Sequence, residues 1–294
     1  MAGCASPDHT TTPESAGSPE VIPTIEPALV PPPTIAPTAT EPECAETAGT
    51  ITQETFNSTL ASVVVDYRVY LPPCYQVQGK RYPLLIMLHG WVENSTAMND
   101  DQWVRLGLTA AADQGITAGT LAPLIIVMPD GNDVDQGSDG SPYAHVIATE
   151  LLPEVVSHYC TWDDPARRAI GGLSRGGFWA FSTAFQHPGL FNRIGGHSPF
   201  VYSGDFKDNN PFDLLDTPID IGTPIVAIDH GAQDYVQGDV KIFVQKLQKR
   251  GINVTYTVHP QGQHVEAYWG AHVAEYLDFY EADWTLDVSA YPDC

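Results

Sequence analysis

Gly172-Leu173-Ser174-Arg175-Gly176-Gly177 places a serine between glycines, directly after an apolar run and directly before the amphipathic stretch Phe178-Trp179-Ala180-Phe181. A serine so placed sits on a sharp strand-to-helix turn that holds its hydroxyl out, and glycines on either side let strand and helix close on one another. The chemistry that uses such a turn is nucleophilic attack on an acyl carbon. A hydroxyl is a weak nucleophile unless a base takes its proton and a third group orients that base.

Where the nucleophile sits on such a turn, the chain order is serine, acid, histidine. After Ser174 stand His187, His197, His230, His259, His264 and His272. His264, in Gly262-Gln263-His264, follows the strand Val254 to His259 and is the expected base, because groups that act on a ligand collect in loops beyond strand ends. His259 belongs to the strand, His272 falls inside the last helix, and His230, at a strand end, is the main competitor. Gly231-Ala232-Gln233-Asp234 puts Asp234 in a comparable loop, where the imidazole needs its carboxylate. Asp229 precedes that turn and Asp239 lies in the next helix. The oxyanion of acyl transfer needs two fixed N–H donors, worth about 3 kcal/mol each. The amides of Arg175 and of Trp91, in the turn His89-Gly90-Trp91, are the expected pair.

These residues need a scaffold. Leu84 to Leu88, Leu124 to Met128, Ala169 to Gly172 and Pro224 to Ile228 are short apolar runs of the kind that form strands buried on both faces. Between them, 103–115, 145–159, 175–187, 237–250 and 265–282 carry apolar residues at three- and four-residue spacing, as Val240, Phe243, Val244 and Leu247 do. Alternation of this kind predicts an α/β-hydrolase architecture, a mostly parallel sheet flanked by helices. Residues 50–58 and 62–71 read as an N-terminal β-hairpin turning near Asn57-Ser58-Thr59. The polar stretch 198–222 is long enough for a flap but too short for a lid domain.

Residues 5–43 are almost wholly Pro, Thr, Ser, Ala, Glu and Gly. Such a segment cannot bury enough apolar surface to offset its ordering entropy and is expected to be an extended spacer. Met1-Ala2-Gly3-Cys4 resembles the end of a bacterial lipoprotein signal. The apolar stretch that precedes such a cysteine is missing, so Met1 is read as standing where a signal peptide has been removed, with Cys4 as the lipidation site. The expected division is therefore a lipoprotein-like spacer over 1–43 and a catalytic domain over 44–294, displayed outside the cell. Export permits disulfides. A hairpin register centred near Thr59 brings Cys44 opposite Cys74, which leaves Cys160 for Cys294.

The formal charge of −23 over 294 residues repels phosphate backbones and anionic lipid. No nucleic-acid partner is expected, and no membrane contact beyond the lipid anchor; a neutral or modestly charged ester fits better. The Asp-rich loop Asp130 to Asp139 lacks the glutamate that closes the standard calcium loop, so it is read as a solvated loop near the site's rim.

Together the His89-Gly90 turn, Tyr67 to Pro73 leading into Tyr75, the Gly172 to Gly177 motif, Gly231 with Asp234, and Gly262-Gln263-His264 through Trp269 resemble the esterase D-like esterases. That group includes feruloyl and acetyl xylan esterases of carbohydrate esterase family 1, enterochelin esterases, S-formylglutathione hydrolases and mycolyltransferases. The resemblance covers roughly residues 45–285. It implies an esterase that uses no metal or organic cofactor. The position after the nucleophile, often methionine in that family, is Arg175 here.

For the substrate, Trp91, Trp179, Phe200, Tyr202 and Trp269 are candidates for an aromatic acyl pocket, with His89 and Gly90 beside it, which points to feruloyl esters of plant cell-wall polysaccharide. Acetyl xylan, siderophore and other short acyl esters remain alternatives, as do acyl transfer and a non-catalytic surface carbohydrate-binding module.

Overall fold

The computed structural model describes residues 44–91, 99–135, 140–202, 204 and 208–294; the spacer and Cys4 lie outside the described residues. Eight strands form one sheet in the order β1-β2-β4-β3-β5-β6-β7-β8. The strands are β1 (Thr50–Ser58), β2 (Val63–Leu71), β3 (Leu84–Leu88), β4 (Ile125–Pro129), β5 (Arg168–Leu173), β6 (Arg193–His197), β7 (Ile225–Gly231) and β8 (Asn253–His259). β1 pairs antiparallel with β2, and β2 with β4; every pairing from β4 through β3, β5, β6 and β7 to β8 is parallel.

Alternation of side chains along the central strands divides the core in two. Leu84, Ile86 and Leu88 join Ile125, Val127 and Ile170 on one face, where the helices Arg175–Gln186 and Gln237–Lys249 supply Phe178, Phe181, Phe185 and Phe243. Leu85, Met87, Ile126, Met128 and Ala169 face the other way, against the helices Leu108–Ala118 and Val273–Glu281. A sheet covered on both faces explains why β3, β4 and β5 are buried at every position.

Two expectations need correction. The helix over 103–115 is broken: Gly107 takes φ 90° between Gln102–Arg105 and Leu108–Ala118. The helix over 265–282 breaks likewise at His272, between Glu266–Ala271 and Val273–Glu281. β6, Arg193-Ile194-Gly195-Gly196-His197, carries no apolar run that would mark it as a strand. Its Gly195 and Gly196 weaken a strand pattern, yet they are needed, because a Cβ on Gly195 would stand 1.9 Å from the Tyr280 hydroxyl.

Disulfides join Cys44 to Cys74 and Cys160 to Cys294. The hairpin runs from Thr50 opposite Leu71 to Ser58 opposite Val63, so its turn is centred slightly later than expected. Beyond the strands, the Cys74 amide also donates to Glu46 Oε2 at 2.7 Å. Among the described residues, no helix is long and apolar enough to cross a membrane.

Candidate active site

Ser174 directly follows β5, with φ 51° and ψ −117°, a left-handed conformation that costs a non-glycine residue roughly 1–3 kcal/mol. Surrounding bonds hold it there. Its amide donates to the His197 carbonyl at 2.9 Å, and its own carbonyl accepts from the amides of Phe178 at 3.2 Å and Phe200 at 2.9 Å. The flanking glycines have a measurable reason to be glycine. A Cβ on Gly172 would lie 2.3 Å from the Gly176 carbonyl carbon, and one on Gly176 would lie 2.2 Å from the Leu88 carbonyl oxygen.

Three sheet ends converge on this turn. The Ser174 hydroxyl lies 2.8 Å from His264 Nε2, and His264 Nδ1 donates to Asp234 at 3.0 Å to Oδ1 and 3.2 Å to Oδ2. Asp234 is wholly buried and also accepts from the Val236 amide at 3.1 Å. Burial pushes its carboxyl upward, but hydrogen bonds, that from His264 first, outweigh burial and hold the group below the ordinary carboxylate range.

Backbone lacing between the loops after β7 and β8 sets the His264–Asp234 distance. The Ala232 amide donates to the His259 carbonyl at 2.9 Å and the Gln233 amide to the Gly262 carbonyl at 3.0 Å. The Gln233 side chain returns the contact, accepting from the Gly262 amide at 2.9 Å. The loops touch so closely that a Cβ on Gly231 would stand 2.2 Å from the Gly262 oxygen. Trp269 packs edge-on against the His264 ring at 4.9 Å, and Tyr235 lies against it at 4.6 Å.

The histidines and acid weighed against these lie elsewhere. His230 is bound to Tyr256 and the Gly231 carbonyl. Asp229 accepts from His197 at 2.7 Å, Tyr268 at 2.6 Å and Tyr276 at 3.2 Å, in a buried network beneath the site.

A cleft of about 360 Å³ opens over Ser174 and His264, lined also by Trp91, Arg175, Phe200, Tyr202 and Tyr235. Its size falls within the 300–1,000 Å³ of ordinary small-molecule pockets. The turn after β3 abuts the serine: a Cβ on Gly90 would come within 3.5 Å of the Ser174 Cβ. The Gly90 amide is taken by Gln102 Oε1 at 2.8 Å. Of the Gly90 and Trp91 amides, Trp91's is therefore the one to consider for an oxyanion, beside that of Arg175 at the start of the helix.

Several residues expected at the substrate are not there. Trp179 lies in the core, packed against Tyr143 at 5.5 Å and Phe178 at 5.0 Å, in a helix that is buried at every position from Arg175 to Phe185. Trp269 is likewise buried and touches the base rather than the cleft. His89 is buried and ties two strand ends together: its Nε2 accepts from the Gly131 amide at 2.8 Å, which puts its proton on Nδ1, 2.7 Å from the Gly90 carbonyl. The acidic loop is not simply solvated, since Asp135 is buried against Arg175.

Two residues of this neighbourhood escaped the sequence reading. Tyr235 follows the acid directly but belongs to no periodic pattern. Gln102 carries no motif, and only the fold brings it to Gly90.

The model of the family described as "Putative esterase" matches residues 63–280. A protein of Xylanibacter ruminicola named endo-1,4-beta-xylanase/feruloyl esterase is 35% identical over 158 residues, which are 50% of this chain and 21% of that protein. An esterase of Mycobacterium tuberculosis is 31% identical over 139 residues, 44% of this chain and 28% of its own length. The chain thus spans between a fifth and a third of the length of these relatives. Among solved structures, a ferulic acid esterase superposes with a TM-score of 0.68 at 22% identity, over 79% of this chain and 98% of that one. At that identity the likeness is one of fold.

Proposed function

This chain belongs to the putative esterase family, and on that premise we propose that it hydrolyses carboxylic esters through an acyl-enzyme. The observation that carries the reading is the 2.8 Å approach of the Ser174 hydroxyl to His264 Nε2, with His264 Nδ1 held by a buried Asp234. Ser174 Oγ attacks the ester carbonyl as its proton passes to His264 Nε2. The amides of Arg175 and Trp91 receive the oxyanion, and the alcohol leaves with the proton from His264. Water then attacks the acyl-enzyme through the same base and releases the acid.

For the acyl group we propose a hydroxycinnamoyl unit, with feruloyl esters of cell-wall polysaccharide as the substrate class. The aromatic lining of the cleft, Trp91, Phe200, Tyr202 and Tyr235, supports this, since planar rings pack well on aromatic faces. A feruloyl esterase among the relatives agrees with it. The two disulfides support an extracellular setting. We assign catalysis to 44–294 and tethering, with Cys4 as lipid anchor, to 1–43.

The test is release of acid from methyl ferulate, p-nitrophenyl acetate and p-nitrophenyl butyrate by the wild type and by Ser174→Ala. Serine-dependent release of ferulate is the expected result. Activity confined to the nitrophenyl esters removes the aromatic acyl assignment and keeps the esterase. No turnover of any of the three, or full activity in Ser174→Ala, overturns the mechanism.

A further inference from the structure

A second cavity, of about 590 Å³, lies beside the loop that carries His264 and shares no lining residue with the cleft. Its walls include His259, the last residue of β8, and His272, at the break between the last two helices. Glu275 stands one turn into the helix that His272 begins. His259, His272 and Glu275 each offer a ligand atom, and the three atoms lie within 4.8 Å of one another.

We propose that these three residues bind a divalent transition-metal ion of the zinc class. Two nitrogens and a carboxylate oxygen are the donor set such ions take. His259 Nε2 is shut off from solvent and makes no hydrogen bond; Glu275 Oε2, at 3.7 Å, is too far to satisfy it. A cation between them gives the buried nitrogen the partner it lacks. His272 Nδ1 lies 2.7 Å from the Tyr268 carbonyl, to which it must donate, so Nε2 carries the lone pair. A ligating imidazole is normally fixed in this way, its other nitrogen donating to a carbonyl. The ligands of a tetrahedral zinc stand roughly 3.4 Å apart, so small side-chain rotations close the set, and three protein ligands leave a fourth position for water.

The site stands at the root of the catalytic loop. The His259 carbonyl receives the Ala232 amide of the Asp234 loop, and Tyr268 packs on Gly262, where a Cβ would meet its ring at 2.3 Å. The ion therefore bridges the end of β8 to the helix pair behind His264 and clamps the segment between.

Zinc titration by calorimetry of chelator-stripped, tag-free full-length protein tests this without any ester present. One equivalent is expected in the wild type. His259→Ala, His272→Ala and Glu275→Gln should each weaken binding by about tenfold or more, while Ser174→Ala and His145→Ala, the latter removing an exposed histidine pair with His187, should bind as wild type does. Cobalt in place of zinc should give the visible absorption of a tetrahedral ion in the wild type and lose it in Glu275→Gln, an exposed position whose change leaves the core intact. Equal zinc affinity in wild type and Glu275→Gln, or no binding by the wild type, overturns the proposal. Because the readout is binding to substrate-free protein, it stands apart from the esterase assignment.

Discussion

Asp135 grips Arg175 through two hydrogen bonds, Oδ2 to Nε at 2.8 Å and Oδ1 to Nη2 at 2.5 Å, with both side chains almost wholly out of solvent. The guanidinium also lies over the rings of Phe178 and Trp179, at 4.9 Å and 5.3 Å. The residue that follows the nucleophile is thereby tied to the loop after β4.

Removing Arg175 leaves Asp135 buried without its cation, at a cost of about 3–5 kcal/mol, whereas replacing both sides with apolar groups is close to neutral. Arg175→Met should therefore lower the melting temperature by about 10 °C, and Arg175→Met with Asp135→Leu should recover most of the loss. A double variant no more stable than the single one would mean that the pair is not the source of the effect.

Gly176→Ala should give little or no soluble protein. Its Cβ would enter the space of the Leu88 and His89 carbonyl oxygens, at 2.2 Å and 2.5 Å, and backbone there cannot move without shifting β3. Circular dichroism of any soluble fraction, beside Gly238→Ala where nothing lies within 4 Å, separates the steric cause from a general intolerance of alanine. Equal melting temperatures for the two variants would refute it.

Asp229 should make the fold acid-sensitive. Burial works to raise its carboxyl, but the charge and hydrogen bond of His197, with the Tyr268 hydroxyl, outweigh burial and hold it below the ordinary range. A carboxyl depressed in the folded state contributes stability above its unfolded value, about 3.9, and loses it as pH falls through the folded value. Wild-type melting temperature should therefore exceed that of Asp229→Asn by most at neutral pH, with the gap narrowing below about pH 4. A gap that stays constant from pH 6 to pH 3 would show that ionised Asp229 contributes nothing.

Cys160–Cys294 spans 134 residues of chain, and a loop of that order stabilises a fold by about 4–5 kcal/mol through the unfolded state. Cys294→Ser should lower the denaturant midpoint markedly while leaving ester hydrolysis at low denaturant near the wild-type rate, because the bond lies at the opposite end of the strands from Ser174: the Cys160 carbonyl accepts from the Tyr82 amide and the Cys294 amide donates to the Gly79 carbonyl, both ahead of β3. A matching loss of rate in native buffer would place the C-terminal segment within the site's support.

The strand runs, the nucleophile turn and the loops carrying Asp234 and His264 were legible because each is local: an apolar run, then a turn, then a helix period. What failed was whatever depends on packing between distant segments. β6 reads poorly because Gly195 is set by the Tyr280 hydroxyl, eighty-five positions along the chain. Trp179 and Trp269 look available to a substrate because each is an aromatic near a motif, and nothing local records that neighbouring segments cover them. Asp135 looked solvated among its acidic neighbours; only the fold brings it to Arg175.

The three groups that meet over the cleft follow β5, β7 and β8, and the lacing of Gln233 to Gly262 forms only once the last strand has docked on its neighbour. On the proposed mechanism, a polypeptide still being made carries a serine without its base until the segment beyond β8 has been added. A fragment ending before His264 would hold the nucleophile turn with nothing to take its proton.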